Sequence, residues 1–288
     1  MPEMADVLRR YGRDDLDQFG EELLPSHRRA IADLLACRTE TLGGHLYQCD
    51  HCGSEPYVDH SCRNRSCPKC HYHETEAWLE ERRQELLPVS SFHVVLTLPQ
   101  ELRALVRRHQ KNRYDILLRA AAQALIKLAA DPHYVGGLIG VLCVLHTWTR
   151  ALGYHPHVHC LVPAGGVSSD RTQWQPARQT YLVPVRALSR LFRGLFRDLV
   201  HQECPDLSIP DAVWTTEWVV YCKPTVQGAE QLLRYLGRDV YRIALTNNRI
   251  LSIADGQVRF RSQDSQLHRW KTMVLSAQEF IRRLLQHV

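Results

Sequence analysis

A chain of 288 residues, 44% of them apolar and with a formal charge of +5, has the length for one large or two modest domains and a real core. That composition excludes a disordered chain, and no apolar run is long enough to span a bilayer. Ten cysteines and sixteen histidines behind a polar start, MPEMADVLRRYG, favour metal ligation over disulfides. The mild positive charge permits a nucleic-acid partner without requiring one.

Residues 1–36 read as helical, with Ser26 as an N-cap and Ile31, Leu34 and Leu35 on one face. Residues 37–73, rich in Cys, Gly, His and Arg, read as a small metal-held module. A charged helix follows from Glu74 to Leu87, then a β-rich run, SFHVVLTLP, closed by Pro99. Residues 100–130 read as one or two helices, basic on one side through Arg103, Arg107, Arg108, Lys111 and Arg113. Gly136–Trp148 reads as a buried strand that turns near Gly153 into HVHCLVPAGG, a hairpin partner.

Leu188 to Val200 is an amphipathic helix, EWVVYCKP a strand, and Gln227 to Leu236 a helix. VYRIAL, RILSI and VRFRS then form a meander, with turns at Asn247-Asn248 and Asp255-Gly256 and a further strand in WKTMVL. Ser276 and Glu279 form a capping box for a last helix. The pattern is α+β, with a zinc-ribbon-like module in front: domains 1–88 and 89–288.

The module's ligands stand out. CDHC supplies Cys49 and Cys52, CPKC supplies Cys67 and Cys70, and two paired CxxC turns close a tetrahedron of sulfurs around a structural zinc ion. Cys62 is a packing thiol, a replacement ligand, or part of a second site with Cys37, His45 or His71. Arg63, Arg65 and Lys69 around the module suit phosphate contacts. Cys143, Cys160, Cys204 and Cys222 read as core.

YHPHVHCLVPAGG raises a second question. On a strand His157 and His159 share a face while Val158, Cys160 and Val162 point into the core. Two imidazoles so placed bind one cation only with further ligands, and His146 on the preceding strand is the first choice. Tyr235, in QLLRYLGRDVY, reads by itself as a buried anchor; beside a cation it becomes a candidate nucleophile. Gln231 and Asp239 lie four residues to either side, and Gly237 is expected to end this helix early.

Taken in order, CRTETLGGHLYQCDHCG, SCRNRSCPKC, FHVVLTLP, HPHVHCLVPAGG and LLRYLGRDVYRIALTNNRI resemble the rolling-circle transposases of bacterial insertion sequences. These are HUH-class enzymes with an N-terminal zinc-binding domain, and the likeness is strongest to those of common-region elements. It implies a central antiparallel sheet with the HUH strand in its middle and the tyrosine helix packed near it. It implies that His157 and His159 hold Mg²⁺ or Mn²⁺ and that Tyr235 attacks single-stranded DNA at transposon ends, leaving a 5′-phosphotyrosine link.

The family's second tyrosine falls on Asp239, so the implied enzyme works with one tyrosine. Tyr241 is out of that register. The sequence stops at Val288 where family members continue, which marks the second domain as C-terminally shortened. A cytoplasmic, nucleoid-associated protein with no membrane and no nucleotide cofactor is expected, since no Walker-A pattern occurs. Two rivals stand beside this reading. One is a decayed, non-catalytic zinc-dependent DNA-binding protein. The other is a metal-dependent hydrolase using His146, His157 and His159.

Overall fold

The computed structural model describes residues 1–19, 23–240, 245–263 and 269–288. It divides into two compact units. One gathers Met1–Glu76, Trp148–Tyr154 and Tyr241–Val288; the other gathers Ala77–Thr147 and His155–Val240. The boundary expected near residue 88 is therefore not where the compact units part. The reason is apolar burial: Met4, Val7, Leu8, Ile31 and Leu34 share one core with Phe260, Phe280, Ile281 and Leu284.

In the first unit, helices Met4–Phe19 and Pro25–Ala36 lead to a small hairpin, Gly44–Leu46 paired with Tyr57–Asp59. Pro25 takes the opening position of the second helix, so Leu24 rather than Ser26 precedes it. Proline fits there because that position needs no N–H. Strands Ile250–Ala254, Gln257–Gln263 and Trp270–Ser276 form an antiparallel sheet with Gln257–Gln263 in the middle. Asp255 and Gly256 make the two-residue turn, both at positive φ. Most of the expected VYRIAL strand, including Tyr241, lies outside the described residues. The last helix, Ala277–Leu285, starts as expected: the Ser276 hydroxyl accepts the Glu279 N–H at 3.2 Å.

The second unit is built on four strands in the order Leu142–Trp148, Tyr154–Pro163, Ser91–Thr97, Val220–Pro224. The outer residues Trp148 and Tyr154 of the first two strands belong to the other unit. The first strand begins at Leu142, later than the Gly136 start expected. Tyr154–Pro163 and Ser91–Thr97 run antiparallel, with Val95 opposite His159 and Thr97 opposite His157.

Alternation then assigns the two faces of this sheet. Phe92, Val94, Leu96, Val158, Cys160 and Val162 join a core with helices Gln110–Ala129 and Val185–Glu203, through Ile116, Leu117, Phe192 and Phe196. The opposite face keeps the histidines. His109, at φ −137 and ψ 59, splits the 100–130 segment into two helices. Arg113, expected on the basic side, is buried and bonds Asn112 and Cys204. Among the described residues no helix is long and apolar enough to cross a membrane.

Candidate functional site

Four cysteines converge in the first unit, but not the four expected from spacing. Cys37, Cys62, Cys67 and Cys70 hold their sulfurs within 4.8 Å of one another. Cys37 lies 3.5 Å from Cys70 and 3.4 Å from Cys67, and Cys62 lies 3.7 Å from Cys70. A tetrahedron of Zn–S bonds near 2.3 Å has edges of about 3.8 Å, so this set fits zinc. Backbone N–H groups of Cys62 and Asn64 point at the sulfurs of Cys37 and Cys62.

Burial pushes the Cys62 thiol up to about 12 and raises Cys67 well above the ordinary thiol value. A cation that takes the place of the protons removes that penalty. Cys49 and Cys52 stand apart from this cluster, both exposed. The correction has a physical cause. Cys37 ends the second helix, whose following residue Arg38 bonds His60 O at 3.1 Å, and this draws Cys37 to the start of the Cys62–Cys70 loop. Arg63 and Arg65 are exposed, whereas Lys69 is paired with Glu3 at 2.5 Å.

The second unit brings His146, His157 and His159 together, their ligand atoms all within 4.8 Å. Ring centroids are 4.1 Å apart for His146–His159, 4.9 Å for His157–His159 and 5.4 Å for His146–His157. His157 Nδ1 lies 2.6 Å from the backbone oxygen of His155, to which it donates, so the lone pair sits on Nε2. His155 itself is bonded to Arg103, Nη2 to Nδ1 at 2.6 Å.

Burial lowers every one of these imidazoles: His146 to about 3, His155 to about 4, His157 downward, His159 further still. They are neutral at physiological pH, as ligands must be. A fourth histidine, absent from the sequence reading, backs them. His93 Nε2 lies 2.8 Å from His159 Nδ1, and burial lowers its pKa to about 4. Only the strand register, which sets His93 diagonally from His159, could have found it.

The helix Ala229–Val240 lies over this face of the sheet: Leu233 and Leu236 pack with Val144, Leu161 and Leu79. It runs on through Gly237 to Val240, past the end expected from the sequence. A Cβ at Gly237 would stand 2.6 Å from Leu79 Cδ2, so glycine there serves close packing rather than termination. Tyr235 projects from this helix, 39% exposed, with its ring 6.0 Å from that of His159 and 6.4 Å from that of His146. Gln231 is exposed on the same helix, and the side chain of Asp239 lies outside the described residues.

Residues 140–288 match the family described as "Putative transposase", and residues 7–98 match "Transposase zinc-binding domain". The chain is 43% identical over 306 aligned positions to "Putative transposase y4qJ" of Sinorhizobium fredii, covering 100% of this chain and 77% of that relative. It is 27% identical over 278 positions to the "Transposase for insertion sequence element IS801" of Pseudomonas savastanoi pv. phaseolicola, covering 90% of this chain and 66% of that one. No solved structure matches it. A zinc-binding domain followed by a transposase domain, matched together from residue 7 to residue 288, makes this chain a member of the IS91 family of transposases.

Proposed function

We propose that this chain is an HUH-type nuclease that nicks and rejoins single-stranded DNA at the ends of an insertion sequence, with Tyr235 as the nucleophile. The observation that carries the reading is the phenol of Tyr235 standing beside three converging imidazoles, 6.0 Å and 6.4 Å from two of the rings. A relative named as the transposase of an insertion sequence element supports DNA as the substrate.

Tyr235 Oη bonds to phosphorus as the P–O3′ bond breaks. The phenolic proton leaves, and the departing 3′ oxygen takes one up. One phosphodiester becomes a 5′-phosphotyrosine diester and a free 3′-hydroxyl, so the bond count is conserved and rejoining needs no ATP. A divalent cation held by His146, His157 and His159 would supply charge neutralisation at the scissile phosphate. An all-nitrogen protein set suits Mn²⁺ better than Mg²⁺, which keeps oxygen ligands. His157 holds its lone pair outward through its bond to the His155 carbonyl, and Arg103 anchors His155.

Incubation with 5′- and 3′-labelled single-stranded DNA and Mn²⁺ tests the reading. The expected result is label that stays on denatured protein, on the fragment 3′ of the nick, and is lost in Tyr235→Phe while DNA binding persists. Cleavage without an adduct would replace it with the hydrolase reading, and binding without cleavage with the non-catalytic one.

A further inference from the structure

The sheet face that carries the histidines is covered on one side only. Helix Ala229–Val240 packs on Val144 and Leu161, which belong to the first two strands in the sheet order. Over the other two strands the face stays open. On Ser91–Thr97 the residues that point this way, His93, Val95 and Thr97, are half-buried, while Phe92, Val94 and Leu96 between them are fully buried. On Val220–Pro224, Tyr221 and Lys223 are exposed.

Strand register ties this open half to the imidazoles. Val95 stands opposite His159 on one side and opposite Tyr221 on the other, so Tyr221 shares the face of His159 two strand spacings away, about 10 Å. His93 bridges them. Its ring is 5.0 Å from that of His159 and 5.8 Å from that of Tyr221, stacked on the first and edge-on to the second. Lys223 Nζ lies 5.6 Å from the centroid of the Tyr221 ring, within cation–π range.

Packing does not account for Tyr221. Its strand neighbours Val220 and Cys222 already reach the core on the opposite face, and Tyr221 is 43% exposed. A lone exposed aromatic is ordinary. This one is continuous with the imidazole cluster, backed by a histidine and accompanied by an ammonium. An open π-face beside a cation suits an unpaired base and its phosphate, whatever the base.

We propose that Tyr221 and Lys223 form a nucleotide subsite. An unpaired base of the single strand stacks on the Tyr221 ring, and Lys223 meets a backbone phosphate beside it. The proposal rests on the reading of the imidazole cluster as a site for single-stranded DNA. The strand then crosses the open half of the sheet, and the stacked base sets which phosphate is presented to Tyr235. Stacking tolerates every base, so the subsite fixes register and not sequence.

Binding of fluorescein-labelled oligothymidine to the full chain carrying Tyr235→Phe, read by anisotropy, is the test. Tyr221→Ala should weaken it about tenfold, Tyr221→Phe should keep the parental affinity, and affinity for a duplex of the same length should not change. Lys223→Ala should reduce the slope of log affinity against log salt by about 0.7. Manganese affinity and melting temperature should stay at parental values throughout. Parental affinity in Tyr221→Ala, equal losses in Tyr221→Ala and Tyr221→Phe, equal weakening on single strand and duplex, or a matching fall in manganese affinity would each overturn the subsite. None of these touches the nicking reaction, which adduct formation by the chain with Tyr235 intact reports separately. Binding that depends on Tyr221 in a chain that forms no adduct would uphold the subsite and overturn the reaction. A parent that binds no single-stranded DNA would overturn both.

Discussion

His93 stacks on His159 with ring centroids 5.0 Å apart and planes within 19°, its Nε2 2.8 Å from the partner's Nδ1. For His159 to offer Nε2 as a ligand, its Nδ1 must carry the proton and donate it to His93. His93 is thus a positioning residue that acts through tautomer and ring orientation. His93→Phe keeps the ring and removes the acceptor. Mn²⁺ affinity should fall by roughly 10- to 100-fold with the fold intact. Unchanged affinity in calorimetric or paramagnetic titration would remove this role.

Either His157→Ala or His159→Ala should slow adduct formation by about two orders of magnitude, equivalent to roughly 3 kcal/mol of lost charge stabilisation. Single-turnover nicking in Mn²⁺ measures it. A full-rate His159→Ala enzyme would disconnect the imidazoles from the chemistry.

Gly237→Val presses two new methyls and a Cβ onto buried Leu79, where even the Cβ would stand 2.6 Å from Cδ2. Overpacking of this kind costs about 1–3 kcal/mol, more than the few tenths that valine gains over glycine in a helix. Denaturant midpoints should drop, and Leu79→Ala added to the same chain should recover part of the loss. No recovery would mean that the helix is held elsewhere.

Cys37→Ser or Cys62→Ser should each release one zinc ion and lower the melting temperature, since Cys37 and Cys67 also pack with Met4, Val7 and Phe280. Zinc analysis after dialysis checks the grouping: full metal content in Cys37→Ser would return the cluster to the two CxxC pairs.

Glu279 accepts from Arg282 at 2.5 Å and 2.8 Å and from Arg283 at 2.7 Å, and these bonds hold its carboxyl at about 2. Its folded value lies below its unfolded one. The unfolded chain therefore binds this proton first on acidification, and the stabilisation present above the usual carboxylate range fades from about pH 4.5 towards pH 2. Glu279→Gln should be less stable than the parent at neutral pH and converge with it near pH 2. A gap that stays constant with pH would assign the effect to packing.

Periodicity made much of this readable in advance. His157 and His159 sit two apart on a strand, so their common face followed from alternation, and Ser276 with Glu279 marked a helix start that the structure repeats. What escaped was whatever depends on pairing between distant segments. Cys37 precedes Cys62 by a whole hairpin, so spacing favoured the nearer Cys49 and Cys52. His93 looked like one polar residue in an apolar strand until its neighbour was known. Gly237 carried the signature of a helix end, but packing against Leu79 overrode it. Pro25 displaced Ser26 as the landmark of its helix because both residues signal a start and only one backbone position is available.

The shared core of the first unit also sets an order of events during synthesis. Met4, Val7, Leu8 and Leu34 leave the ribosome long before Phe260, Phe280 and Ile281, which cover them, have been made. At about 5–20 residues per second the early helices wait on the order of ten to fifty seconds for their cover. The intervening stretch, which carries the imidazoles and the phenol, is complete well before then. The early helices must wait for partners made much later, and during that delay their apolar faces and the Cys37 thiol are open to chaperones, oxidants and other nascent chains.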